Sequence, residues 1–179
     1  INGFHYDNYH FGLASIVSIV RQAEYNTKVL LITEKSEYSL LLNEIKSFDP
    51  QVVGFSSVSS QFHYVKEMVS LVKEVSPETI TVCGGVHPTI YPDALLETNV
   101  LDCVFVGESE FSFVEFLDKI KNCEAYQETD NLAYARNGKL VRNKLKPLIE
   151  NLEILPHPDK EVYPYEQASI RLGYAPFFF

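Results

Sequence analysis

The stretch T-I-T-V-C-G-G-V-H-P-T, at residues 79–89, constrains the fold more than any other part of the sequence. Its first half, Thr79 to Cys83, is mostly β-branched, which predicts a strand on a buried, pleated surface. Gly84 and Gly85 end this run, and because glycine has no Cβ the backbone can turn sharply there and be approached closely. Pro88 cannot donate to a ladder, so the strand does not resume. A buried strand that ends in bare backbone is typical of the ligand-binding edge of an open α/β sheet.

Strands and helices alternate along the first two-thirds of the chain. Short apolar runs predict five strands, at residues 1–3, 28–33, 51–55, 79–83 and 101–106. Apolar residues recurring every three or four positions predict helices at residues 11–26, 38–48, 62–75 and around 113–120, and a proline opens a shorter helix at 92–97. The continuous run at residues 28–33 is predicted to be buried on both faces. This alternation predicts an α/β fold, a flavodoxin-like or Rossmann-like doubly wound parallel five-stranded sheet with helices on both faces.

The composition changes after Asn122. Two short runs flank Asn137 and Gly138, which is the strongest short-range signal for a hairpin and predicts a small antiparallel ribbon. Three prolines between residues 156 and 164 then predict an extended, semi-rigid linker. We therefore divide the chain into a Rossmann-like domain, residues 1–122, and a hairpin and linker, residues 123–179. The very apolar last residues, 175–179, are expected to lie against a partner.

Charge and cysteine content exclude several classes of function. The net charge of −9 disfavours nucleic acid or an anionic membrane as the main partner. No run reaches the roughly 18 apolar residues that a membrane span needs. Three cysteines without a close pair argue against a disulfide framework or a CxxC metal site. We expect Cys83 and Cys103 to be small buried strand residues, and a reducing cytoplasm to be the compartment.

Polar and glycine-rich turns follow three of the predicted strands. They comprise residues 56–60, 84–89 and 107–110. Because the carboxyl ends of parallel strands meet at one edge, these turns are expected to line a common rim that suits a polar ligand. They are also compatible with ordinary strand–helix turns, in which serine, glycine and glutamate are favoured.

No catalytic constellation and no metal site is predicted. The sequence contains no HExxH, Walker loop, GxGxxG or ordered Ser-His-Asp set. His87 follows the two glycines and is compatible with either a ligand contact or a turn residue. Asp7 and His10 lie in the loop after the first predicted strand, close to the expected rim, and His63 is expected on a helix surface.

Several linked signatures resemble the N-terminal cobalamin-binding domain of cobalamin-dependent radical S-adenosylmethionine enzymes. They cover nearly the whole chain in that family's order and spacing. The signatures are F-D-P-Q-V-V-G-F-S-S at residues 48–57, C-G-G-V-H-P-T at 83–89, P-D-A-L-L at 92–96, L-D-C-V-F-V-G-E-S-E at 101–110 and L-P-H-P-D at 155–159.

The resemblance implies a Rossmann-like domain that holds cobalamin along the carboxyl edge of its strands. It implies ten cofactor-binding positions in the three turns: Ser56, Ser57, Val58, Ser59, Gly84, Gly85, Val86, His87, Gly107 and Glu108. The serines would form a hydroxyl loop, the residues from Gly84 to His87 a backbone surface, and the last two a turn at the rim. The proline segment would lead to a downstream radical S-adenosylmethionine barrel, and the parent protein would be methyltransferase-like.

Two features depart from that family's pattern. The three-cysteine CxxxCxxC motif that binds an iron–sulfur cluster is absent, so S-adenosylmethionine and a [4Fe-4S] cluster are expected only in a downstream domain. The DxHxxG signature that supplies an axial histidine is also absent, because Asp7, His10 and Gly12 have the wrong spacing. If cobalamin binds, its lower face is expected to lack a histidine from that motif.

Two other functions are compatible with the same sequence. One is a flavodoxin-like module that binds a small ligand or nucleotide without a corrin. The other is a docking domain whose sheet edge and apolar end contact a partner. Neither alternative requires the chain itself to catalyse a reaction.

Overall fold

A computed structural model describes residues 11–32, 34–98 and 100–159 of the chain. The α-helices are α1 (Phe11–Gln22), α2 (Tyr38–Phe48), α3 (Phe62–Val75), α4 (Val86–Ile90) and α5 (Glu110–Lys121). The strands are β1 (Val52–Ser56), β2 (Ile80–Gly84), β3 (Cys103–Phe105), β4 (Leu132–Arg136) and β5 (Lys139–Arg142). Short 3-10 helices lie at Lys35–Glu37, Ser59–Gln61, Pro92–Glu97, Tyr126–Glu128 and Leu152–Ile154. The predicted first strand, Asp7, His10 and the apolar end at 175–179 lie outside the described residues.

The strands form one five-stranded sheet in the order β1-β2-β3-β4-β5. The first three strands are parallel, with Ser56 opposite Gly84 and Cys83 opposite Val104. The last two strands are antiparallel, because β4 pairs with β3 and β5 pairs with β4. The α/β class is confirmed, with the correction that the sheet is mixed.

Helices cover both faces of the sheet, as the doubly wound architecture predicts. Alternate residues of β2 point to opposite faces, so Cys83 packs with α3 whereas Val82 packs with Phe116 of α5. The helix α2 packs beside α3, where Leu41 and Ile45 contact Val72. All three residues of β3 are buried, which explains why this strand is a continuous apolar run.

The predicted hairpin is an integral part of this sheet. Its turn is at Asn137 and Gly138, both of which have positive φ, as the sequence predicts. Its first strand continues the ladder of β3, with Phe105 opposite Leu132. The hairpin therefore extends the sheet rather than standing apart from it, and the division of the chain at residue 122 stays a prediction.

The predicted strand at 28–33 is wrong for its described part. Residues 28–32 belong to no strand, and their exposure alternates instead of being low throughout. Leu30 is 36% exposed, whereas Ile32 is buried against Leu41 and Ile45. An apolar run supplies side chains for a core, but only hydrogen-bonded partners make it a strand.

The burial of Cys83 and Cys103 and the exposure of His63 agree with the sequence analysis. Cys83 and Cys103 are free, buried and on strands, and Cys123 is free and exposed. His63 is exposed on α3, as expected. Among the described helices, none has the length and apolar character that crossing a membrane requires.

Candidate functional site

The parallel register brings the ends of β1, β2 and β3 to one edge of the sheet. Ser56 lies opposite Gly84, and Cys83 lies opposite Val104. The turns at 56–60, 84–89 and 107–110 therefore leave the sheet side by side. We call these three turns the rim.

The first two turns of the rim are in direct contact. The backbone N–H of Ser57 donates to the carbonyl of Gly84 at 3.0 Å, and the N–H of His87 donates to the carbonyl of Ser57 at 3.0 Å. Gly85 has φ of 97°, and a Cβ there would lie 2.8 Å from the Ser57 carbonyl oxygen. Only glycine allows this close approach of two backbone segments, and the role of Gly85 in binding a cofactor stays a prediction.

The third turn is connected to the second through Thr89. Its hydroxyl donates to the Gly85 carbonyl at 2.8 Å and accepts from the backbone N–H of Gly107 at 3.1 Å. Ser57, Gly85 and Glu108 therefore lie on one continuous rim. The geometry expected of these three turns is confirmed, although it does not by itself identify a ligand.

The rim exposes apolar side chains and bare backbone together. Val58, Val86 and Ile90 are all exposed, Ile90 by 68% of its surface. A Cβ at Gly84 would meet nothing within 4 Å, so the backbone there borders open space. Open polar backbone with exposed apolar neighbours suits a ligand that has both polar and apolar parts.

His87 contributes a polar atom that is left without a partner. Its ring lies 4.3 Å from the Phe62 ring, centroid to centroid, and Nδ1 shares a 3.0 Å hydrogen bond with Ser59 Oγ. Its Nε2 is buried and has no hydrogen-bond partner among the described residues. Because buried polar atoms are almost always paired, this nitrogen fits a site that a polar ligand group completes.

Glu108 already has a structural partner. One of its carboxylate oxygens accepts from the backbone N–H of Ile149 at 2.7 Å. Ile149 lies in a segment that we call the strap, residues 144–159, which follows the hairpin. The strap returns to α1, where Ser18 Oγ donates to the His157 carbonyl at 2.8 Å and Asp159 pairs with Arg21. The role of Glu108 in binding a ligand stays a prediction.

Asn131 contacts the rim, and the sequence analysis did not single it out. It is 3% exposed and immediately precedes β4, and its side chain contacts the third turn of the rim. Within the sequence it reads only as an ordinary residue ahead of a hairpin. Its position becomes informative once β4 is known to pair with β3, because that pairing brings it next to Val106.

Metal ligands do not gather at the rim. No group of three histidine, cysteine, aspartate or glutamate side chains that could hold a metal ion occurs in the described parts of the chain. Burial raises the pKa of the Cys83 thiol to about 12, so this thiol stays protonated at neutral pH. Among its described residues, the rim offers hydrogen-bonding groups such as those of Ser59 and His87 together with exposed apolar side chains.

Comparison with known proteins identifies the family. Residues 1–117 match the B12 binding domain family. The chain belongs to this family. This confirms the resemblance drawn from the signatures at the ends of the strands.

Relatives of known sequence are longer proteins. The chain is 29% identical over 158 residues to an uncharacterized methyltransferase of Pyrococcus horikoshii, a match that covers 87% of this chain and 34% of that protein. It is 28% identical over 164 residues to cytidylyl-2-hydroxyethylphosphonate methyltransferase of Streptomyces wedmorensis, covering 80% of this chain and 31% of that protein. The chain thus spans about a third of the length of these relatives.

Solved structures share the fold. The radical S-adenosylmethionine methyltransferase TsrM of Kitasatospora setae, with cobalamin and a [4Fe-4S] cluster bound, superposes with a TM-score of 0.73 at 15% identity, over 89% of this chain and 30% of that one. The cobalamin-dependent S-adenosylmethionine radical enzyme OxsB with aqua-cobalamin bound gives a TM-score of 0.69 at 18% identity, over 96% of this chain and 23% of that one. At these identities the likeness establishes the fold alone.

Proposed function

We propose that this chain is the cobalamin-binding domain of a cobalamin-dependent radical S-adenosylmethionine enzyme, and that cobalamin lies on the rim. The carrying observation is the rim itself, in which open backbone at Gly84, exposed apolar side chains and the unpaired Nε2 of His87 occur together in a chain of the B12-binding family. Bound cobalamin would supply a cobalt centre that can carry a methyl group. The chain's own residues bind and orient it, and no catalytic residue is assigned to them.

Each turn has its own part in this proposal. Ser56, Ser57 and Ser59 offer hydroxyls and His87 offers Nε2 for polar groups of the cofactor. Gly84 carries no side chain, so the cofactor can approach the backbone there, whereas Gly85 lets the Ser57 backbone pack closely and so shapes the rim that receives the cofactor. Val58 and Val86 cover apolar parts of the cofactor. Gly107 and Glu108 bound the site at the third turn.

The parent protein is proposed to carry S-adenosylmethionine and a [4Fe-4S] cluster in a domain outside this chain. The relatives' names as methyltransferases, together with their greater length, support a methyltransferase-like parent. Apolar side chains exposed on the strap also favour contact with further polypeptide. They are Leu145, Leu148, Leu152 and Ile154. The cytoplasm is the proposed compartment, as three free cysteines are compatible with a reducing environment.

The test is a titration of the 179-residue chain with hydroxocobalamin. After desalting, the chain is expected to keep the absorption bands of the corrin. The Gly84→Ala variant should fold normally, since its Cβ meets nothing, yet bind about tenfold more weakly because the new methyl occupies the space of the cofactor. Lys139→Ala, at the hairpin tip on the opposite edge of the sheet, is the matched control and should bind like the wild type.

A folded wild-type chain that stays colourless contradicts the proposal. The same preparation is then screened for an increase in melting temperature with flavins and nucleotides, because a ligand that binds only the native state raises stability. An increase would establish the small-ligand alternative instead.

A further inference from the structure

Asn131 uses its whole side-chain amide to join the rim to the strap. Its Nδ2 donates to the carbonyls of Val106 at 2.9 Å and Glu108 at 3.1 Å. Its Oδ1 accepts from Ser112 Oγ at 3.1 Å and from the backbone N–H of Lys146 at 3.0 Å. An asparagine amide offers two donor hydrogens and two acceptor positions, so this buried side chain has all its hydrogen-bonding capacity in use.

The backbone of Asn131 makes the same connection. Its N–H donates to the Lys144 carbonyl at 2.8 Å, and its carbonyl accepts from the Val106 N–H at 2.9 Å. Its φ is 64°, a left-handed conformation that asparagine adopts more readily than most residues. One residue thus holds the end of β3 on one side and the beginning of the strap on the other.

Glu108 supplies a second contact between the same two segments. Its carboxylate holds the Ile149 N–H at 2.7 Å, three residues along the strap from the contact of Asn131 with Lys146. The turn that carries Glu108 is exposed at Gly107 and Glu108. Besides its internal bond from Ser109 Oγ to the Gly107 carbonyl, it is held by the amide of Asn131 and, from the other side, by the hydroxyl of Thr89.

We infer that Asn131 is a positioning residue that couples the third turn of the rim to the strap. A cofactor that contacts this turn restricts the strap, and loosening the strap weakens binding at the rim by the same free energy, since such coupling is reciprocal. The part of this inference that concerns cobalamin rests on the proposed function. The coupling between the turn and the strap does not depend on it. Asn131 itself need not touch the cofactor.

The decisive variant is Asn131→Asp. It keeps the size of the side chain and an acceptor for Ser112 and Lys146, but it removes the amide donors to Val106 and Glu108. Asn131→Gly is the companion variant, because it tolerates the positive φ and removes every side-chain contact. Asp102→Asn is the control, since it weakens a hydrogen-bonded network at the opposite edge of the sheet and leaves the rim and the strap unchanged.

The first measurement is hydrogen exchange at the backbone amides of Lys146 and Ile149, with and without hydroxocobalamin. In the wild type the cofactor should slow exchange at both amides about fivefold or more. Asn131→Asp should lose most of this protection and bind hydroxocobalamin about fivefold more weakly. The Asp102→Asn control should melt at a lower temperature and still show the full protection. If Asn131→Asp keeps the same protection as that control, the residue is merely structural and the inference fails.

A second measurement needs no cofactor. Thr89→Val removes the acceptor of the Gly107 N–H and loosens the turn from the side away from Asn131. Hydrogen exchange at the Lys146 amide should then be faster in Thr89→Val than in the wild type. In the double variant with Asn131→Asp it should be no faster than in Asn131→Asp alone. Unchanged exchange at Lys146 in the Thr89→Val variant overturns the coupling. A wild type that binds no hydroxocobalamin overturns the proposed function instead, and the Thr89→Val comparison still decides the coupling.

Discussion

The amino ends and the carboxyl ends of the strands, which we call the amino edge and the carboxyl edge, both carry polar residues but differ in how these residues are hydrogen-bonded. At the amino edge, one oxygen of Asp102 accepts from the Thr81 N–H at 2.7 Å, from the Thr81 hydroxyl at 2.8 Å and from Lys73 at 2.7 Å. The Lys73 ammonium also donates to the Thr79 carbonyl at 2.7 Å. At the carboxyl edge, the part of the chain that the structure describes supplies no hydrogen-bond partner for Nε2 of His87 and nothing within 4 Å of a Cβ at Gly84.

The difference separates polar groups that stabilise the fold from polar groups that we propose to contact the ligand. A buried network in which every member is paired fixes strand register, and removing one member leaves the others unsatisfied. An edge with unpaired atoms and exposed apolar side chains gains its missing contacts only from something that binds there. We therefore expect changes at the amino edge to affect stability, and changes at open positions of the rim to affect binding.

The largest expected effect on stability is at Gly85, a crowded position of the rim. The expectation that rim substitutions affect binding rather than stability therefore applies only to the open positions. Gly85→Ala places a Cβ 2.8 Å from the Ser57 carbonyl oxygen at φ of 97°. Strain at such a position and the clash with backbone together should cost about 2–5 kcal/mol of unfolding free energy. Gly84→Ala, one residue earlier, should change stability by less than about 0.5 kcal/mol.

Urea unfolding of the two glycine variants beside the wild type measures both values. Equal destabilisation by the two substitutions would show that the backbone near Gly84 is more crowded than its open surroundings indicate. A small effect of Gly85→Ala would show that the Ser57 turn can move away, and the rim would then not be a rigid surface.

The next effect in size is expected at the amino edge. Asp102→Asn removes the charge that Lys73 and both Thr81 donors share, and hydrogen bonds to a charged group contribute about 1.5–3 kcal/mol when buried. Because the Asp102 side chain is 31% exposed, solvent screening reduces this contribution, and we expect a loss of about 1–2 kcal/mol. Urea unfolding measures it, and hydroxocobalamin affinity should not change. Weaker cofactor binding in this variant would break the separation between the two edges.

The rim was predictable because its residues lie in a local pattern. Thr79 to Cys83 are mostly β-branched, which fits a strand, and the two glycines after them mark its end. Once three such strands are taken as parallel, their turns must meet, and they do. Local spacing and one rule of topology are enough for this much of the site.

The features that were missed depend on contacts between distant residues. The run at 28–32 has strand composition, but hydrogen-bonded partners decide whether it becomes a strand, and local composition does not contain that information. The pairing of the hairpin with β3 joins residues about 30 apart in the chain, as Phe105 and Leu132 illustrate. Asn131 acquires its role only through that pairing, which is why no motif marks it.

The smallest expected effect compares two lysine–carboxylate pairs, one at each edge. Lys146 of the strap lies 2.6 Å from Glu115 of α5, and Lys73 lies 2.7 Å from Asp102. The side chains of Lys146 and Glu115 are 34% and 36% exposed. Those of Lys73 and Asp102 are less exposed, at 18% and 31%. Burial alone would raise the pKa of Glu115, whereas hydrogen bonds from Lys146 and Lys119 lower it, and the net pKa lies below its usual value.

A carboxyl group whose pKa is lower in the folded state stabilises the fold at pH values above its unfolded pKa, and this contribution disappears as the pH falls through the folded pKa. Glu115→Gln should therefore lower the unfolding free energy at pH 7 by less than about 1 kcal/mol, since exposed pairs contribute little, and by less still near pH 4. Urea midpoints of the variant and the wild type at the two pH values measure the difference. A loss at pH 7 as large as that of Asp102→Asn would mean that the strap is held as firmly as the amino edge, and exposure would then be a poor guide to which pairs in this chain matter.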